Sequence, residues 1–360
     1  MADITASMVK ELREMTGAGM MDCKKALAET DGDMDAAVEV LRKSGAAKAQ
    51  KKASRIAAEG ITRVAIDGNK AVVVEVNAET DFVAKNEVFQ EFVQSVADQA
   101  LASGLNGGAN GEDIDKLLDM NGLRDVLVEK TATIGEKLSV RRFEKAEGDC
   151  VVSYIHGGGR IGVLVVGNGA GNSDAVKEAL SNIAMQIAAM SPQYLSRADI
   201  SDEQMAKLRE ITVDSALNDP ASLPKPILQK LLDKAVGDKL WSDADIAAYE
   251  ENKNNKYLFN FLSEEAKAKI AGLALDGKDE YVNDKIFAGL VDGRISKQVK
   301  EICLLDQVYV KAEDGKQAVG KYLESVSKDL KIAKMVRFEV GEGMEKKNED
   351  FAAEVAAQLG

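Results

Sequence analysis

The sequence predicts an α+β fold: a three-helix bundle, two repeated hairpin–helix–strand core subdomains, and a helical projection inserted in the second. Three observations lead there. Apolar residues recur at helical spacing before residue 55 and again after residue 197, whereas paired runs between them alternate as strands do. One strand–turn–strand–helix pattern is written twice. The four prolines, at 192, 220, 224 and 226, all fall late, so no helix-breaking ring interrupts anything before Pro192. A length of 360 residues allows about two or three domains.

Taken in order, residues 1–55 read as short helices divided by glycine turns. Thr5 or Ser7 can cap a helix from Met8 to Met15, and Gly17-Ala18-Gly19 turns the chain before Met20 to Glu29. A third helix begins near Asp33, with Met34, Ala37, Val38 and Leu41 as its apolar stripe. Lys43, Lys48, Lys51, Lys52 and Arg55 follow as a basic tail, read as a solvated helical connector. From Gly60 the period changes. Gly60 to Val76 alternates around Asp67-Gly68-Asn69, a hairpin signal, and a helix starts near Glu87 with Phe89, Phe92, Val93 and Val96 on one face.

Gly148 to Val166 repeats the hairpin around His156 to Arg160, and the helix after it carries Val176, Leu180, Ile183 and Ile187. Val140 to Gly148 and Val336 to Gly343 are each a strand running into an acidic glycine turn, so the second copy holds roughly a hundred residues that the first lacks. This insertion shows helical stretches at Glu203 to Leu217, Pro226 to Leu240 and Asp284 to Leu304, with a corner at 217–227. Trp241 and the Tyr257 to Phe261 run either build the insertion's own core or meet another chain.

Composition excludes several functions. The 47 Lys and Arg against 60 Asp and Glu leave a net charge of −13, which repels a phosphate backbone, so no direct nucleic-acid partner is expected. One histidine, His156, and three scattered cysteines, Cys23, Cys150 and Cys303, offer neither the close pairs of a zinc site nor a disulfide framework. Scattered thiols, charged opening residues and no run of about 18 apolar residues lead us to expect a cytoplasmic protein with no membrane partner.

Four near-motifs fail on context. Gly157 to Gly162 spells G-x-G-x-x-G but joins two strands instead of a strand and a helix. His156-Gly-Gly-Gly lacks the G-x-S-x-G of a serine hydrolase. Gly315 to Lys321 has P-loop spacing, yet Tyr322 stands where a hydroxyl must reach magnesium. Asp31, Asp33 and Asp35 open like a calcium loop, but Ala36 replaces the required glycine and Arg42 the bidentate glutamate. No metal, no cofactor and no catalytic residue are expected.

The stretch Glu79-Thr-Asp-Phe-Val-Ala-Lys-Asn86 stands between a strand and its helix, and two readings of it stay open. In the first, Thr80 or Asp81 caps a helix and Phe82 packs back as a staple, which spacing alone favours. In the second, a carboxylate and an aromatic wedge on a rigid corner form a hot spot for a partner.

Four segments then carry a resemblance: Val9 to Leu27, Thr80 to Asn86, His156 to Leu164 and Arg337 to Glu345. In order and spacing they are similar to the elongation factor Ts family, the guanine-nucleotide exchange factors for elongation factor Tu. The resemblance covers about 1–196 and 285–360. It implies a ubiquitin-associated-like (UBA-like) bundle at 1–55, core subdomains at 56–146 and at 147–196 with 306–343, a projection at 197–305 and a C-terminal helical module at 344–360. It implies that the protein binds elongation factor Tu, GDP-bound or nucleotide-free, and promotes GDP release and GTP reloading during translation elongation. The means would be displacement of the partner's Mg²⁺ and distortion of its nucleotide site, without being an enzyme.

On that resemblance Thr80, Asp81, Phe82 and Val83 reach toward the partner's magnesium, overturning the capping reading. Arg13, Met20 and Met21 would meet a helix of its G domain, and His156, Gly157 and Gly158 would face it from the core. The resemblance places no counterpart for residues from about 217 to 283, which leaves a homodimer through the projection open. The competing function is an adapter for ubiquitin-like or other proteins without exchange activity; it explains the bundle but not the paired subdomains.

Overall fold

Three helices open the chain. Thr5 Oγ1 accepts from the Met8 N–H at 3.3 Å to start α1 (Ala6–Thr16), and Asp33 accepts from the Ala36 N–H at 2.9 Å to start α3 (Met34–Lys52). Between them lies α2 (Met20–Glu29), entered through Gly17, whose φ of 64° ends α1 in the left-handed region. Val9, Leu12, Cys23, Ala26, Leu27 and Ala37 fill the centre of the bundle. The structure is a computed structural model describing residues 4–345, so the helical module expected at 344–360 lies, beyond Glu345, outside the described residues. Two compact units divide the chain, one of 1–191 with 321–360 and one of 192–320.

In the first unit, β1 (Glu59–Asp67) and β2 (Lys70–Ala78) form the expected hairpin, followed by a single turn, α4 (Asp81–Ala84), and by α5 (Glu87–Ala102). A short β3 (Gly107–Gly108), α6 (Ile114–Leu118) and α7 (Leu123–Ile134) lead to β4 (Ser139–Glu147). The repeat then runs β5 (Cys150–His156), β6 (Ile161–Asn168) and α8 (Asp174–Met190), and is completed by β7 (Lys331–Glu339). Two antiparallel sheets result, with orders β1-β2-β4-β3 and β5-β6-β7.

The sheets pack face to face, with Ala71, Val73, Leu164, Val166, Val336 and Phe338 between them. Helix α5 covers the outer face of the first sheet through Phe89, Phe92, Val93 and Val96, and α8 lies against β5 and β6 of the second. Strand β2 is therefore buried on both faces from Ala71 to Ala78. That is why its sequence runs Ala-Val-Val-Val where a half-exposed hairpin would alternate, a departure from the alternation expected there. On the bundle side, α3 packs on α7, and a Cβ at Gly45 would lie 3.4 Å from that of Ala132, so the helices approach at small residues.

Within this apolar strand sits Glu75, fully buried. Between Glu75 and Val76 the register with β4 slips, and this bulge brings consecutive arginines to one carboxylate: Arg141 Nη1 at 2.9 Å and Arg142 Nε at 2.6 Å. In a regular strand the two would point to opposite faces. Asn77 Nδ2 donates to the same carboxylate at 3.1 Å and the Gly341 N–H at 2.9 Å. Gly341 has φ 71°, and a Cβ there would collide with the Ala58 carbonyl oxygen, so glycine is required where the turn after β7 meets Glu75.

The second unit is helical: α9 (Asp202–Asn218), α10 (Lys225–Gly237), α11 (Asp243–Asn252), α12 (Glu264–Asp276), the single turn α13 (Lys278–Tyr281) and α14 (Lys285–Ile302). The proline corner is a short 3₁₀ turn, Pro220–Ser222. Trp241 is buried here with Leu231, Tyr249, Ile270 and Phe287, and its Nε1 donates to the Ala266 carbonyl at 3.0 Å. Of the two uses open to Trp241, a core within its own unit is the one observed. Helix α15 (Val319–Val326) carries the chain back to the first unit.

Replacing Glu75 by Ala leaves the Arg142 side chain, only 7% exposed, without its carboxylate. Unfolding free energy should fall by about 3–5 kcal/mol, read by urea denaturation with far-UV circular dichroism, and a fall below about 1 kcal/mol would show the charge to be dispensable.

Candidate functional site

The strand-to-helix corner is anchored before it is displayed. Glu79 accepts from Arg55 Nη1 with both oxygens at 3.2 Å and from the Lys137 N–H at 2.6 Å. Thr80, extended at φ −129° and ψ 157°, donates its N–H to Glu136 Oε2 at 3.0 Å and its hydroxyl to Glu136 Oε1 at 2.7 Å. Its hydroxyl is thus turned to Glu136 instead of capping α4. The capping work for α5 falls to Asn86, which accepts from the Phe89 N–H at 3.2 Å.

On that support the side chains of α4 part in opposite directions. Val83 is buried with Ile61, Val76, Phe89 and Leu138. Phe82 is 78% exposed, so the ring does not fold back as a staple. With Val83, Asn86, Val88, Thr133 and Ile134 it lines an open depression of ≈ 310 Å³. Asp81 is also exposed; Lys85 Nζ donates to its carboxylate at 2.8 Å, and this hydrogen bond holds the carboxyl below the usual carboxylate range. The same ammonium stands 5.8 Å from the centre of the Phe82 ring.

Around the first turn of the bundle the pattern is similar. Helix α2 turns Cys23, Ala26 and Leu27 inward, so Met20 and Met21 stay on the surface, 59% and 65% exposed. Met15, across the Gly17 turn, joins them, and Arg13 is exposed in the last turn of α1. These methionines are surface and not bundle core. A Cβ at Gly17 would lie 3.9 Å from the Thr133 side chain, and Thr133 also borders the Phe82 depression. The last turn of α7 therefore lies beside both the methionine turn and the aromatic corner.

His156 and Gly157–Gly159 form the tip between β5 and β6. The His156 ring is exposed, with Nδ1 3.0 Å from the Tyr154 hydroxyl, and Gly157 and Gly158 are exposed beside it. The tip is tied to β1: the Gly159 carbonyl accepts from Thr62 Oγ1 at 2.8 Å, and Arg160 pairs with Glu59 at 3.6 Å. Sequence reasoning passed over Lys85, Met15 and Glu136. Lys85 stands four residues after Asp81, a helical pair readable in advance, and Met15 ends the run before the Gly17 turn. Glu136 carries no local signal, because its partner is 56 positions away.

Among the described residues no group of three or more His, Cys, Asp or Glu could hold a metal, and no helix is long and apolar enough to cross a membrane. By its fold and its surface the molecule falls in the class of α+β proteins that present exposed apolar side chains, here Phe82, Met20 and Met21, on anchored segments. A family model described as Elongation factor TS matches residues 79–342. Elongation factor Ts of Clostridioides difficile (strain 630) is 41% identical over 369 aligned positions spanning all of both chains. Those of Clostridium perfringens strains SM101 and ATCC 13124 are 43% identical over 367 positions, 99% of each chain. The chain belongs to the elongation factor Ts family of translation elongation factors.

Neighbouring residues of α4 should respond differently to truncation. Phe82→Ala should change unfolding free energy by less than about 0.5 kcal/mol, whereas Val83→Ala should cost about 1–2 kcal/mol, both measured in urea. Equal costs would show that the ring packs inward in solution.

Proposed function

We propose that this protein is the guanine-nucleotide exchange factor of elongation factor Tu, binding it GDP-bound or nucleotide-free and acting without covalent chemistry. The observation that carries the reading is Phe82, exposed on a corner whose base is hydrogen-bonded on both sides. A factor that binds the nucleotide-free partner better than the GDP-bound one weakens GDP by the same factor by which GDP weakens it. Each tenfold in release corresponds to about 1.4 kcal/mol of barrier, so disturbing a charge-held metal accounts for several decades.

Within this reading Phe82 is the wedge and Asp81 the charge that disturbs the metal. Asp81 is free to act so, because its pairing with Lys85 is solvent-exposed and screened, and opens readily. Arg13, Met20 and Met21 supply an adaptable apolar contact for a helix of the partner's G domain, methionine being flexible and polarizable. His156, Gly157 and Gly158 offer a second contact from the core. This assignment is of a binding function, with no catalytic group and no cofactor of the protein's own.

Release of fluorescent GDP from elongation factor Tu tests it. Phe82→Ala should slow release by about thirtyfold, the worth of a hot-spot residue. Asp81→Ala should be defective with Mg²⁺-replete partner and nearly normal with Mg²⁺-stripped partner; an equal defect in both would remove the metal from the account. Met20→Ala with Met21→Ala should raise the Kd of the complex while leaving the melting temperature almost unchanged. Tight binding without any acceleration of release would instead mark an adapter.

A further inference from the structure

We infer that Glu136 is a positioning residue for exchange, holding the aromatic corner in the attitude the partner requires; this rests on the exchange reading above. The argument begins with what α4 cannot do for itself. It is a single turn of four residues, and only Val83 among them is buried. One turn of helix has too few internal hydrogen bonds to fix its own direction. The attitude of Phe82 must therefore come from the segments that grip either end.

At the start of α4, Glu136 takes both donors of one residue, the N–H and the hydroxyl of Thr80, with its two oxygens. The next residue repeats the grip one step back, where the Lys137 N–H reaches Glu79, and Lys137 Nζ reaches the Arg55 carbonyl at 2.8 Å. Residues 136–137 thus hold 79–80 in register, and through Arg55 they tie in the connector between α3 and β1. Glu136 itself is directed by Gly135, whose φ of 87° ends α7 in the left-handed region and turns the chain back toward the corner. Thr133 and Ile134, just before this turn, line the depression beside Phe82. The end of α7 thus borders the depression beside the ring, and the turn after it fixes the backbone that carries the ring. Charge-assisted hydrogen bonds are about twice as strong as neutral ones, which suits a carboxylate for this task.

The test uses the full-length protein and fluorescent GDP release from elongation factor Tu across a range of exchange-factor concentrations. Glu136→Ala should lower the release rate at saturation about tenfold while the half-saturating concentration moves little, because the misdirected corner still binds but distorts less. Glu136→Gln, which keeps one accepting oxygen, should fall between the parent and the alanine variant. The decisive comparison is the pair with Phe82→Ala. If Glu136 acts by directing the ring, its loss adds no further slowing once the ring is gone. Independent, multiplying defects would overturn the inference, as would a normal release rate in Glu136→Ala. A Phe82→Ala protein that itself exchanges normally would bring down the exchange reading of the corner, whereas a slow Phe82→Ala beside a normal Glu136→Ala brings down the positioning role alone.

Discussion

The buried carboxylate of Glu75 is the constraint from which the first unit's architecture follows. An ionised group away from water is tolerated only when paired and fully hydrogen-bonded. Here four donors meet it, from Asn77, Arg141, Arg142 and the Gly341 backbone. Arg142 continues the chain of contacts to the Glu339 carbonyl and the Glu342 carboxylate, and its guanidinium lies 4.3 Å from the centre of the Phe338 ring. Two sheets and the turn after the last strand are thereby registered on one side chain. Gly341 is 266 positions from Glu75, yet its N–H has only one acceptor to find.

This arrangement makes sense of an interrupted repeat. Strands β6 and β7 are neighbours, although the whole second unit lies between them in the chain. Closing a longer excursion adds only about 0.6 kcal/mol for each doubling of its length. Covalent continuity therefore contributes little to placing β7, and the Glu75 network with the Val336 and Phe338 packing does the placing. A rigid double sheet then frees the outer corners for display. The Glu136 grip, the β1 anchor of the histidine tip and the α3–α7 contact each hold a projecting feature on this frame.

The parts of the fold legible in the sequence are those whose causes are local. Helix α2 runs from Met20 to Glu29 and α5 starts at Glu87 as periodicity and capping indicate, and both hairpins turn at their glycines. The single turn α4 and the five-residue α6 are too short to show a period, and α7, though twelve residues long, buries only Leu123 and Thr131 and so lacks a clear apolar stripe. Glu75 carries no local signal of its role, its arginines and glycine arriving from distant segments, the arginines through a bulge. At the corner, spacing favoured a cap and a staple, and the family motif pointed the other way. The observed structure turns Thr80 to Glu136, a partner 56 positions away, and leaves Phe82 exposed to solvent.

The scarcity of two residue types has a spectroscopic consequence. The chain has one tryptophan and one histidine, and they lie in different units. Trp241, sealed among apolar side chains, makes intrinsic fluorescence a single-site report on the helical unit. His156, exposed and hydrogen-bonded to Tyr154, gives a single set of imidazole resonances that needs no residue assignment, from the hairpin tip of the other. Each unit thus carries its own native, label-free probe, and the two can be followed in the same sample.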